Sequence, residues 1–233
     1  MTGIVTPEVT LLAHTVLNRD GNDVFSDLMP DQSLHEVETL TEFAGRACYQ
    51  SFHRPNPATA TTEDYLRRTL FEQGHWSIAE HATATFYITG VSRAFTHELI
   101  RHRHLSYSQL SQRFVDEADA KIVVPPALRG NKWQAAELED EMERAVDTYK
   151  DVVNTLEGGD GLPRKQAREA ARAVLPNMSE TRIVVTGNLR AWHEVVERRT
   201  APDADAEMRE VMGMVRDQLH TIAPTIFPEG KHE

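Results

Sequence analysis

Apolar residues recur along this chain mostly at helical spacing, interrupted by a few short runs that alternate in the manner of strands. Leu34, Val37, Leu40, Phe43, Ala44 and Ala47 put one stripe on a helix spanning Leu34 to Phe52. A second helix is predicted from Thr61 or Thr62, whose hydroxyl can cap free amides, to Gly74, which tolerates a left-handed turn. His75 to His81 follows as a loop. ATATFYIT, Ala82 to Thr89, is rich in β-branched and aromatic residues and reads as a strand closed by Gly90. Ser92 can cap a helix through Phe95, Leu99 and Ile100 to about His102, beyond which several serines argue against continuing it. Lys121 to Val124 is a short strand stopped by Pro125 and Pro126.

The longest amphipathic pattern carries Trp133, Ala136, Met142, Ala145, Tyr149, Val152, Val153 and Leu156, and ends at Gly158, Gly159 and Gly161. Pro163 suits the first turn of a helix through Arg172, Pro176 ends it, and Thr181 to Thr186 reads as a strand. Asn188 can cap a helix from Leu189 to Arg199, and a last helix covers Ala204 to Ile222. Strands this few, without regular strand-helix alternation, imply an α+β fold: a small antiparallel sheet with several flanking α-helices. At 233 residues, a single compact domain over 1–233 with long helical elements is expected.

Composition narrows the function classes. No apolar run approaches the roughly 20 residues that span a bilayer, so no membrane association is expected. The opening MTGIVTPEVTLLAHT lacks the pattern of a secretory signal, which points to the cytoplasm. The formal net charge of −11 repels a phosphate backbone and argues against nucleic acid as a partner. Cys48 is the only cysteine, which excludes an intrachain disulfide, and it reads as a small buried hydrophobe.

Neither a GxGxxG turn nor a GxxxxGK[ST] loop is present, so any nucleotide must be held by side chains. Between Val91 and Arg113 lie four arginines, three histidines and four serines against one acid, Glu98. Arginine offers paired donors that match phosphate oxygens, each charge-assisted contact contributing roughly 1.5–3 kcal/mol. Composition alone gives equal weight to arginines that simply pair with surface acids. His97, Glu98, His102 and His104 suggest a metal-dependent hydrolase, but HExxxH puts His97 and His102 about 140° apart on a helix, where they cannot face one zinc. No metal site is expected. A non-catalytic nucleotide- or RNA-binding module, with Tyr107 and Trp76 as stacking surfaces, is the remaining rival.

Arg101 to Arg113, RHRHLSYSQLSQR, resembles the signature of flavin-dependent thymidylate synthases, in which Arg-His-Arg is followed after seven residues by serine, here Ser111. GHWSIAEH, ARAVLP and TGNLRAW are similar to further segments of that family. The resemblance implies reductive methylation of dUMP to dTMP, with FAD as hydride relay, NADPH and methylenetetrahydrofolate as co-substrates, and a homotetramer. It assigns Ser77, Arg101, His102, Arg103, Gln109, Asn188, Leu189 and Arg190 to the flavin. It assigns Glu98, Leu99, Ile100, Arg101, Gln109, Leu110, Ser111, Gln112, Arg113 and Arg172 to dUMP, with Ser111 and Arg113 suited to the phosphate. Arg199 matches the arginine that activates the uracil by stabilising negative charge as its N3 ionises. Glu194 stands at a flavin-side position where the family often has histidine or asparagine. Flavin-independent thymidylate synthases attack uracil C6 with a cysteine, a role that Cys48 is not expected to fill.

Overall fold

The computed structural model describes residues 3–20, 23–29, 33–54 and 56–230. In chain order its elements begin with β1 (Ile4–Val5), β2 (Glu8–His14), α1 (Val24–Leu28), α2 (Glu36–Tyr49) and α3 (Thr62–Leu66), the last prolonged by a wider π-type turn over Arg67–Glu72. β3 (Thr83–Ser92), α4 (Arg93–Leu99), β4 (Ser106–Gln109), β5 (Ile122–Val123) and α5 (Lys132–Asn154) follow. α6 (Arg164–Ala171), β6 (Glu180–Asn188), α7 (Leu189–Arg199) and α8 (Ala206–Ile222) complete the chain. Four strands form an antiparallel sheet in the order β2-β3-β6-β4, while β1 and β5 make a short parallel pair. This is the α+β arrangement that the sequence pattern implies.

Alternation decides which face of the sheet is buried. Ala84, Phe86 and Ile88 of β3 and Ile183 and Val185 of β6 are fully buried, and α7 and α8 cover them with Trp192, Val195, Met208, Val211, Met212 and Val215. Burying each large apolar side chain contributes about 1.5–3 kcal/mol. Trp192 also donates its indole N–H to the Ala84 carbonyl at 3.0 Å, so the ring is satisfied as well as buried. A second cluster, Ala120, Ile122, Val124, Met142 and Val146, packs α5 onto β5.

Several expectations require correction. Gly90 does not close β3: at φ +64 it forms a bulge, the strand runs on to Ser92, and a β-carbon here would collide with the Thr6 carbonyl oxygen. His75 to His81 is not all loop, because Trp76–Glu80 winds into a 3-10 helix. Leu34 is 97% exposed and precedes α2, and Trp133, expected on the apolar face of α5, is 70% exposed in its first turn. Cys48, expected to be buried, lies exposed in the last turn of α2. Three strands were not read from the sequence, the first being β1, only two residues long. β2 is a sheet edge whose outward Leu12 blurs the alternation. β4 is serine-rich because its Ser106 and Ser108 face outward beside Thr186 and Val184, while Tyr107 and Gln109 turn inward.

Candidate functional site

Two helices carrying the candidate residues start by the same device. β3 ends at Ser92, whose hydroxyl accepts from the Phe95 amide at 3.0 Å and starts α4. β6 ends at Asn188, whose side-chain oxygen accepts from the Ala191 amide at 2.8 Å and starts α7. Glu207 of α8 reinforces the first cap, accepting from the Ser92 amide at 2.7 Å and its hydroxyl at 2.6 Å. Burial raises the Glu207 pKa, and these two bonds oppose the rise.

Because β3 and β6 are antiparallel, α4 and α7 leave the sheet from opposite ends, and their C-terminal ends meet. Arg199, the last residue of α7, donates Nη1–H to Glu98 Oε2 at 2.8 Å and Nε–H to His102 Nε2 at 2.9 Å. Its side chain is only 19% exposed. Accepting at Nε2 requires a neutral imidazole that carries its proton on Nδ1. Burial lowers the His102 pKa, and the Arg199 and Arg198 charges lower it further, so the surroundings favour that form. The Tyr107 hydroxyl points at the Leu99 and His102 carbonyls at 2.7 and 2.8 Å and closes the end of α4. Burial pushes its pKa up to about 12, which keeps it a donor. Gln109 ties the same corner together, donating to Thr96 at 3.0 Å and Thr181 at 3.3 Å.

A second group surrounds a cavity of about 290 Å³ lined by Glu80, His104, Asn188, Arg190, Ala191 and Glu194. Arg190 bridges two acids here, reaching Glu80 at 2.6 Å and Glu194 at 3.1 Å. His193, next to Glu194, instead stacks on Trp76 with ring centroids 3.9 Å apart. Glu80 and His104 were not assigned to the flavin or to dUMP from the sequence, although both sit inside quoted motifs.

The third group lies along α6. Arg113 pairs with Glu169 at 2.8 Å without hydrogen-bond geometry at Nε, and Arg172 follows at the end of the helix. Arg93 is electrostatically coupled to this group: its Nη1 is buried without a hydrogen-bond partner among the described residues, and burial lowers its pKa, with the Arg172 charge lowering it further against the opposing pull of Glu117. Sequence gave no reason to prefer Arg93 among the four arginines of its segment; only burial distinguishes it.

The other candidates are dispersed. Ser77, Ile100, Arg101 and Arg103 are exposed, and the last two guanidinium groups have no hydrogen bond or ion pair among the described residues. Leu99 and Leu189 are fully buried and Gln112 nearly so, which leaves them chiefly their main chain for any ligand. Leu110 and Ser111 are half-buried, and the Ser111 hydroxyl accepts weakly from the Arg113 amide at 3.4 Å. A larger cavity, about 580 Å³, opens over Thr10, Tyr87 and Arg182 on the outer face of the sheet and contains none of the candidates.

The chain matches the family model described as thymidylate synthase complementing protein over residues 32–225. It is 53% identical over 194 residues to the flavin-dependent thymidylate synthase of Mycobacteroides abscessus, covering 81% of this chain and 77% of that protein. To the enzyme of the same name from Mycobacterium tuberculosis it is 50% identical over 196 residues, covering 82% and 78%. Its fold is similar to that of thymidylate synthase X from Helicobacter pylori, solved with FAD and dUMP, with a TM-score of 0.65 at 19% identity over 96% of this chain and 98% of that one. A UMP/dUMP methylase from Streptomyces cacaoi, bound with 5-Br dUMP, superposes with a TM-score of 0.70 at 21% identity over 98% and 96%.

Proposed function

We propose, from the premise that this chain belongs to the thymidylate synthase complementing protein family, that it is a flavin-dependent thymidylate synthase converting dUMP to dTMP. Methylenetetrahydrofolate is the carbon donor and NADPH the reductant in this reading. The observation that carries it is Arg199, anchored where α4 and α7 meet, on the arginine position that the family uses to activate uracil.

A guanidinium offers donors and no acceptor, so Arg199 does not remove a proton. It stabilises the negative charge that develops on the pyrimidine as N3 ionises. Glu98 accepts from Nη1 and gives that donor up to the uracil edge. Ser111, Arg113 and Arg172 hold the phosphate, Arg113 releasing Glu169 to do so. Arg93, whose Nη1 is buried without a hydrogen-bond partner among the described residues and which feels the Arg172 charge, fits the same anion. Glu98 to Arg101 and Gln109 to Gln112 complete the dUMP site.

The residues also fit a flavin dinucleotide, which is anionic. Arg101 and Arg103 have guanidinium groups uncommitted among the described residues, Ser77 exposes a hydroxyl, and Asn188, Arg190 and Glu194 line one cavity; His102, Gln109 and Leu189 join the flavin set by the family resemblance. FAD, when bound, supplies the relay of hydride to the uracil ring. No enzyme nucleophile is needed at C6, in keeping with a Cys48 that sits exposed at the end of α2. A homotetramer in the cytoplasm, acting on no nucleic acid and no membrane, completes the proposal. Among the described residues, no helix is long and apolar enough to cross a membrane.

The test is to add FAD to the purified chain, reduce it anaerobically with NADPH, then supply dUMP and methylenetetrahydrofolate. Bleaching of a bound flavin followed by dTMP is expected; absence of flavin binding would favour a non-catalytic nucleotide-binding module.

A further inference from the structure

Arg199 has one partner that needs no explanation beyond charge, Glu98, and one that does. A guanidinium donating to an imidazole is a contact between two groups that are both cationic at low pH. It persists only while the ring is neutral and its Nε2 is unprotonated. The bond spans 97 residues of sequence and links the turn after α4 to the last residue of α7, and both side chains are largely withdrawn from solvent. The main chain that carries the ring is held as well: Tyr107 of β4 donates to the His102 carbonyl, and the Leu105 amide also reaches that carbonyl, at 3.2 Å. The charged groups around His102 are Arg198 and Arg199 on α7, Glu98 on α4 through its bond to Arg199, and the flanking Arg101, Arg103 and His104.

We propose that His102 is a positioning residue for Arg199: its neutral Nε2 accepts from Arg199 Nε and fixes the plane in which the terminal amino groups meet the substrate pyrimidine. Holding Nε leaves Nη1 and Nη2 for the substrate once Glu98 is displaced, and it prevents the guanidinium from rotating about its stem. Protonating the ring removes the acceptor and sets two cations against each other. Activity then has an acid limb that belongs to His102, in the range below its ordinary pKa of 6.5, because burial and the two arginines lower the value. The inference rests on the catalytic reading of Arg199 above.

His102→Gln keeps an acceptor near the Nε2 position, His102→Asn places one nearer Nδ1, and His102→Ala has none. kcat/KM for dUMP is measured against pH for each variant, with FAD affinity followed separately by flavin fluorescence. We expect losses of roughly 10- to 100-fold for Ala and Asn, the size of one charge-assisted hydrogen bond, and a much smaller loss for Gln with its acid limb flattened. Equal losses in Gln and Ala, or an acid limb unchanged in Gln, would overturn the proposal. dTMP absent from the wild type would instead remove the catalytic reading. A measurement independent of turnover is the 15N shift of the His102 ring. It should report a neutral Nδ1–H tautomer in the wild type and lose that preference in Arg199→Ala; a ring already protonated at pH 7 would end the proposal.

Discussion

Arg199 holds two partners through two different edges of its guanidinium, and a lysine can replace only one of those contacts. An ammonium could reach Glu98, but it has no Nε–H for His102 and no planar pair of donors for a uracil edge. Arg199→Lys should therefore retain flavin and lose about 10²- to 10³-fold in turnover, the scale on which a lost donor to a developing anion is felt. Single-turnover formation of dTMP checks it, and full activity would remove Arg199 from the chemistry. At this scale the sequence showed which residues to watch but not how they meet. Glu98 and His102 were visible through their motif and Arg199 through its spacing from Asn188. Their contact joins separate elements and leaves no trace in periodicity. Cys48 was misjudged for a related reason: cysteine tends to be buried, but the last turn of α2 carries it on the solvent side.

Elements whose boundaries are set by local chemistry were legible. Ser92 and Asn188 cap their helices through side-chain bonds three residues long, and the stripe on α7 needs no tertiary information. The Gly90 bulge was not legible, because what forbids a side chain there is Thr6, a residue more than eighty positions away. Gly90→Ala combines a left-handed backbone with a collision against main chain and should destabilise the fold by about 1–3 kcal/mol. Gly130 has open space around its α-carbon and no positive φ, so Gly130→Ala should leave the urea midpoint nearly unchanged. Similar midpoints for the two variants would show that the bulge tolerates a side chain.

Across the whole molecule, acidic residues dominate the charge, and some of them are buried. Burial raises the pKa values of Glu38, Glu117 and Glu207. A carboxyl whose folded pKa is raised adds stability below its unfolded value of about 4.5, and that stability is lost as pH rises through the folded value. Urea unfolding of wild type and Glu207→Gln at pH 7 and pH 5 should therefore show the wild type gaining on the variant at the lower pH. A difference independent of pH would mean that Glu207 titrates alike in the folded and unfolded chain.

The antiparallel pairing of β3 with β6 acts as a caliper for the reactive corner. Each strand carries one jaw, α4 or α7, rigidly set at its capped end, and the gap between the jaw tips is the space Arg199 crosses to reach Glu98 and His102. Pairing can change only in steps of two residues if the buried face is to stay buried, and such a step moves one jaw by about 7 Å. Both bonds, at 2.8 and 2.9 Å, would then be out of reach. The jaw setting is thus quantised by the sheet, with one notch that closes on the arginine.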